Sequence, residues 1–284
     1  MKKQLLTLFT LLFIQLSLFA QATDPQDSIL RILAIGNSFS EDGIENYLYE
    51  LADADDKKII IGNMYIGGAP LSLHLENSKN GTNKYSYRKV GLDGVKHTTE
   101  NVTLEHGLKD EDWDYISFQQ ASPLSGKYDV ILESLPDLMK YVRGAVGAKP
   151  KFIYHQTWAY QHDSKHKGFA NYDNNQLTMY RAIASTTKRL KKEFKFAFLV
   201  PAGTAIQNGR TSSIGDKFTR DGYHLQLEYG RFTAACAWYE KLFNTDVRQN
   251  SYSPKNVNDQ QAFIAKNAAH KAVKKPFKIS KIKL

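Results

Sequence analysis

Three side chains in this sequence are of the types that let a hydroxyl attack a carbonyl. They are Ser38, in Gly36-Asn37-Ser38-Phe39-Ser40, and the pair in Asp221-Gly222-Tyr223-His224. A serine hydroxyl is a poor nucleophile at neutral pH, so it needs a base within hydrogen-bond reach and a third group to orient that base. An aspartate three residues before a histidine can set both side chains on one tight loop. The carboxylate then accepts from one ring nitrogen and leaves the other facing the serine. Each half also has a plainer reading. Ser38 or Ser40 can simply cap a helix carrying Ile44, Tyr47, Leu48 and Leu51, and an Asp-x-x-His is commonly a surface loop.

The elements around these residues bring the two halves to one place. Five short apolar runs, Ile32-Ile35, Ile59-Tyr65, Tyr115-Phe118, Phe152-Tyr154 and Phe196-Val200, alternate with segments of helical apolar spacing at Ile44 to Leu51, Leu71 to Leu75, Ile131 to Val142 and Leu177 to Phe194. A last helix is expected from about Leu227 to Leu242. This alternation predicts an α/β fold, a three-layer α/β/α sandwich on a five-stranded parallel sheet of flavodoxin-like type. Ser38 then follows the first strand, and Asp221 and His224 fall between the fifth strand and the last helix. Both sit at the carboxyl edge of the sheet, where such folds bind ligands. One segment interrupts the pattern: residues 84–100 alternate on either side of Gly91-Leu-Asp-Gly94 and read as an inserted β-hairpin.

Composition narrows the class. Of 284 residues, 42% are hydrophobic and 24% charged, which is ordinary for a globular chain. Residues 1–22 read as a secretory signal: Lys2 and Lys3, an apolar run from Leu5 to Phe19, then Ala20-Gln21-Ala22. The expected location is periplasmic or extracellular. A single cysteine, Cys236, allows no intrachain disulfide and leaves no thiol near the signal for a lipid anchor. Lys2 and Lys3 together with seven lysines between Lys266 and Lys283 account for the whole net charge of +9, so the body is balanced. The basicity belongs to a C-terminal extension, 251–284, expected as a solvated lysine-rich tail, and nucleic-acid binding is not expected. The domain proper is expected over 29–250, acting as a monomer without a membrane anchor.

In order along the chain, Gly36-Asn37-Ser38, a glycine after the second strand, amide side chains after the third and Asp-x-x-His before the last helix resemble the SGNH (GDSL-like) hydrolase superfamily. More narrowly, the segments Trp113-Asp-Tyr-Ile-Ser-Phe-Gln119-Gln120-Ala-Ser122 and His155-Gln-Thr-Trp158-Ala-Tyr160 resemble a bacterial subgroup known as DUF4886. The resemblance implies Ser38 as nucleophile, His224 as general base and then acid, and Asp221 as the orienting carboxylate, with Ser40 left as the helix cap. It also implies an oxyanion hole built from the amides of Ser38 and Gly68, with Gly67 in reserve, and a side-chain carboxamide. The superfamily's asparagine is replaced here. Gln119 is the preferred donor and Gln120 the reserve, since successive strand residues face opposite ways.

The activity so implied is removal of acetyl or another short acyl group from a carbohydrate, without cofactor. Alternatives are acyl hydrolysis on lipid, peptide or thioester substrates, and a catalytically weak glycan-binding protein on the same scaffold. Trp158 and Tyr160 are candidates for stacking on a sugar ring, with Gln156 and His155 beside them, although packing explains aromatics equally well. Glu41 and Asp42 are accounted for by the dipole of the helix that they begin, and Arg231 is expected to be structural. His162 and His166 have the i, i+4 spacing of metal ligands but lie in a polar loop without a third ligand, so no metal is expected. Cys236 reads as a small buried residue.

Overall fold

Strand β1, Leu30–Gly36, alternates between two apolar layers: Ile32 and Ala34 enter one, Leu33 and Ile35 the other. A strand covered on both faces must lie in the middle of a layered fold, and the computed structural model, which describes residues 29–283, has that form. The elements that follow are α1 (Ser38–Ile44), α2 (Leu48–Asp53), β2 (Ile59–Tyr65), α3 (Leu71–Asn80), β3 (Tyr85–Val90), β4 (Lys96–Val102), α4 (Leu104–Asp110), β5 (Tyr115–Phe118), α5 (Tyr128–Leu132), α6 (Leu135–Val146), β6 (Lys151–His155), α7 (Gln176–Phe194), β7 (Leu199–Val200), α8 (Ala202–Gly209), α9 (Tyr229–Phe243) and α10 (Asp259–Lys274). The residues expected to form the export signal, 1–22, lie outside the described residues.

The sheet runs β4-β3-β2-β1-β5-β6-β7. Its five parallel strands, in the order β2-β1-β5-β6-β7, are the expected flavodoxin-like core, and the order in which strands are added reverses between β1 and β5. The hairpin is more than a flap: β3 pairs antiparallel with β2 and β4 with β3, so the sheet has seven strands rather than five. Arg88 on β3 explains part of this attachment. Its guanidinium stacks 3.6 Å from the Tyr65 ring and pairs with Glu41 on α1. Leu51, Phe232 and Ala265 from α2, α9 and α10 build one apolar layer, while Leu75, Leu108 and Leu138 from α3, α4 and α6 build the other. A third cluster, including Phe39, Trp158, Phe169 and Phe218, fills the space above the carboxyl edge.

Two expectations about helices change. The segment from Ile44 to Leu51 is broken at Tyr47, whose φ of 66° is left-handed; its hydroxyl donates to the Leu227 carbonyl and its ring meets Phe232 edge-on. The stretch expected as a C-terminal extension is part of the packed body. In α10, Ala262, Ala265, Ala268, Ala269 and Ala272 are buried, and small residues let this helix lie close against α8 and α9. Among the described residues, no helix is long and apolar enough to cross a membrane.

Candidate active site

The turn between β1 and α1 is tied down by one side chain. Asn37 caps α1: its Oδ1 accepts from the Phe39 amide at 3.0 Å, and its Nδ2 donates to the Ala69 carbonyl at 2.9 Å, joining this turn to the loop after β2. Ser40, expected as the cap, instead has Oγ 2.7 Å from the Asn37 carbonyl oxygen and 2.9 Å from Asn63 Oδ1, either of which can take its one proton. Gly36 is required here, because a Cβ would sit 2.5 Å from Ser40 Oγ. Ser38 thereby stands at the first position of α1, at the carboxyl end of β1 and beside the point where the sheet order reverses.

Asp221 and His224 reach the same point from the loop before α9. Asp221 Oδ1 accepts from the amides of Tyr223 (3.2 Å) and His224 (2.8 Å), which folds the loop tightly. Gly222 adopts a left-handed φ of 90° between them. The other carboxylate oxygen lies 2.6 Å from His224 Nδ1, and His224 Nε2 lies 2.9 Å from Ser38 Oγ. Partial burial pushes the Asp221 carboxyl up, but the His224 ring and the two amides outweigh it and hold the group below its ordinary value. An ionised Asp221 fixes the Nδ1–H tautomer of neutral His224 and leaves Nε2 as the acceptor for the Ser38 proton.

What holds this loop to α1 is Asp42, which is fully buried. It pairs with Arg231 (2.7 Å) and Arg220 (3.1 Å) and accepts from the amide of Leu225 (2.7 Å), the residue after His224. The helix dipole therefore does not suffice to explain Asp42, whereas Arg231 has the structural part expected of it.

Neither glutamine after β5 lines the pocket over Ser38, and the carboxamide of Gln119, the preferred donor, is engaged elsewhere. Gln119 donates from Nε2 to Asn37 Oδ1 (2.8 Å), and its Oε1 lies 2.8 Å from His155 Nδ1, so its carboxamide props the turn from beneath. Gln120 accepts at Oε1 from the amides of Leu71 (3.0 Å) and Ala121 (2.8 Å). Its Nε2 meets no protein acceptor among the described residues. The backbone amides of Ser38 and Gly68 also meet none, and Gly68 has a left-handed φ of 66°. Gly67 does not line the pocket, whereas Gly68 does.

The pocket over Ser38 encloses about 230 Å³. Gly68, Ala121, Ser122 and Pro123 form one side, and His166, Tyr223 and His224 line it as well. The aromatics expected to meet a sugar are not exposed there. Trp158 is buried, stacked 4.4 Å from Phe39, and donates from Nε1 to the Tyr223 carbonyl (2.7 Å). Tyr160 is buried with its hydroxyl on Ser122 Oγ, Gln156 is bonded to Thr187, Thr204 and Pro276, and His155 faces Gln119 and Trp238. These four position the loops around the pocket instead of lining it.

Two residues that line the pocket were not among the expected substrate contacts, Tyr223 and His166. Tyr223 was visible inside Asp221-Gly-Tyr-His224, and its ring packs 4.1 Å from that of His224. His166 accepts at Nδ1 from the Gly168 amide (3.0 Å), which puts its proton on Nε2, a donor with no protein acceptor among the described residues. Burial, with the neighbouring His224, holds its pKa below the ordinary value and so favours the neutral ring. His162, its notional metal partner, pairs instead with Asp216 (2.7 Å). Cys236 is buried, and burial pushes its thiol pKa up.

Comparison with known proteins follows the same lines. Residues 31–272 match the family described as domain of unknown function DUF4886. A DUF4886 family protein from Bacteroides uniformis is 48% identical, with a TM-score of 0.88 over 90% of this chain and 98% of its own. An SGNH-hydrolase-like protein from Slackia heliotrinireducens is 20% identical (TM-score 0.51, covering 75% of this chain and 98% of that one). A catalytic mutant of an acetylxylan esterase from Geobacillus stearothermophilus is 13% identical (TM-score 0.50, covering 77% and 95%). No curated protein matches the chain. The chain therefore belongs to the DUF4886 family and carries an SGNH-hydrolase-type fold.

Proposed function

We propose that the protein is an exported serine esterase that removes acetyl or other short acyl groups from carbohydrate. The observation that carries this reading is the continuous hydrogen-bonded chain from Asp221 through His224 to Ser38, opening on a pocket of about 230 Å³. In the first step Ser38 Oγ attacks the ester carbonyl while its proton passes to His224 Nε2. The negative charge that develops on the carbonyl oxygen is met by the amides of Ser38 and Gly68 and by the Gln120 carboxamide. Collapse of this intermediate releases the alcohol, protonated by His224, and leaves the acyl group on Ser38. Water, activated by His224, then repeats the sequence and frees the acid.

The leaving oxygen must lie within reach of His224, so the alcohol part of the substrate meets the residues flanking that ring, Tyr223 and His166. A phenol ring and an N–H donor suit a sugar, one as a flat surface and the other as a partner for hydroxyl oxygens. The small volume of the whole pocket, about 230 Å³, suits a short acyl group and disfavours a long lipid chain. The neighbour from Geobacillus is an acetylxylan esterase, whose catalytic mutants replace an aspartate and a histidine three positions apart, the spacing of Asp221 and His224. Incubation of the mature protein with 4-nitrophenyl acetate and with acetylated xylo-oligosaccharides tests the reading. Hydrolysis of both is expected, with Ser38→Ala reduced to the uncatalysed rate. Wild type no faster than Ser38→Ala would overturn it.

A further inference from the structure

The lysines near the C terminus wall a second cavity, away from Ser38. After α10 the chain stays on the body. The Pro276 carbonyl accepts from Thr204 Oγ1 (2.7 Å) and Gln156 Nε2 (3.2 Å), the Ser280 amide donates to Asn208 Oδ1 (2.6 Å), and the Ile282 amide donates to Thr211 Oγ1 (2.9 Å). Ile282 itself is buried. Between this strap and the end of α10 lies a concavity of about 470 Å³ whose lining includes Arg248, Lys271, Lys274, Lys275, Lys278 and Lys281 and no acid. Lys271 Nζ donates to the Lys281 carbonyl (2.8 Å) and so joins the two walls.

Two of the basic groups at this site are answered by acids: Arg248 pairs with Asp246, and His270 contacts Asp246 and Glu240. Lys274, Lys275, Lys278 and Lys281 are exposed and have no carboxylate partner among the described residues. Lysines in the last turn of a helix complement its dipole, which accounts for Lys271 and Lys274 but not for those beyond the helix. A free tail would let these charges spread apart. The hydrogen bonds of the strap instead hold them together in a concavity, where like charges raise the free energy of the empty state and focus a positive potential. Glu240, Asp246 and His270 come close enough together to suggest a cation site. Asp246, however, is already held by Arg248, and the surrounding lysines repel a cation, so the three act as an anchor for the wall.

We propose that this concavity binds an acidic polysaccharide through its carboxylate or sulfate groups. The site is a concavity with lysines on both walls, a shape that fits a chain laid between them. Its lining holds a single apolar side chain, Ile279, to insert into lipid, and its one aromatic ring, that of His270, is tied to Glu240 and Asp246. Nothing in this inference depends on Ser38 acting as a nucleophile.

The test uses the mature protein carrying Ser38→Ala, so that no ligand is consumed. Fluorescently labelled oligogalacturonate and heparin-derived oligosaccharides serve as acidic probes. Neutral xylo-oligosaccharide, phosphatidylcholine–phosphatidylglycerol vesicles and single-stranded DNA are the comparisons. The acidic oligosaccharides are expected to bind with an affinity that falls as salt rises, and Lys274→Glu with Lys278→Glu should weaken binding by about tenfold or more at an unchanged melting temperature. A second pair, Lys84→Glu with Lys140→Glu, changes net charge equally elsewhere on the surface and should leave binding intact. Absence of binding by the acidic probes, equal loss in both pairs, or tighter binding of the vesicles or DNA would overturn the proposal.

Discussion

At the scale of single residues, the two glutamines after β5 separate a positioning part from a proposed catalytic one. Gln119 links His155 to Asn37, and Asn37 holds the nucleophile turn. Gln119→Ala removes a buried link and leaves polar groups unpaired, so a loss of about 1–3 kcal/mol in unfolding free energy is expected by urea titration. Gln120→Glu is the sharper experiment. It keeps the oxygen that accepts from Leu71 and Ala121, removes the amide donor and sets a negative charge beside the developing oxyanion. A fall in kcat of about a hundredfold or more is expected, with little change in melting temperature. Unchanged kcat would remove Gln120 from the oxyanion hole. The sequence made Ser38, Asp221 and His224 legible as a candidate nucleophile, base and orienting acid because each sits in a short motif. It did not show how the two carboxamides divide their hydrogen bonds, because that depends on how the backbone leaves β5 and on which partners lie on either side.

Among the elements, the feature that governs the site is the link between α1 and the loop before α9. Ser38 and Asp42 lie on one short helix, while His224 and Leu225 are neighbours on the loop, so the Asp42 bonds to Leu225, Arg220 and Arg231 set the reach from His224 to Ser38. Breaking a buried ion pair by removing one partner typically costs about 3–5 kcal/mol. Asp42→Ala is expected to lower stability by that order, and Asp42→Asn, which can still accept from Leu225, by less. If Asp42→Asn remains folded but esterase activity drops severalfold, the loop has lost its register. Full activity in that variant would show that the loop holds itself. Apolar spacing predicted the parallel strands and the long helices because each buries a continuous stripe. The hairpin's pairing to β2 was not legible, since every residue of β4 except Val102 is exposed and its pattern is that of an edge. Nor was the packing of α10, whose core contacts are alanines that carry little hydrophobic signal.

For the molecule as a whole, two buried histidines outside the triad make stability depend on pH. Burial pushes His74 down to about 4 and His155 down to about 3, and each has an Nε2 without a hydrogen-bond partner among the described residues. In the unfolded chain both return to an ordinary value of about 6.5. Between the folded and unfolded values the unfolded state binds more protons, so stability is fully present above about pH 6.5 and declines as pH falls toward 4 and then 3. Each histidine should contribute a slope of about 1.4 kcal/mol per pH unit in that window. Asp246, lowered to about 2 chiefly by the Arg248 side chain, adds a smaller, solvent-screened loss below about pH 4. Urea unfolding at pH 7 and pH 5 measures the effect, and His74→Gln should remove one proton's share of the slope whatever it does to stability at pH 7. Because the His74 side chain bonds, among the described residues, to Tyr85 on the hairpin side of the sheet, this substitution should leave the pH dependence of esterase activity unchanged, which separates acid unfolding from protonation of the proposed base. Stability that stays flat from pH 7 to pH 5 would mean that these histidines take up their protons without opening the fold.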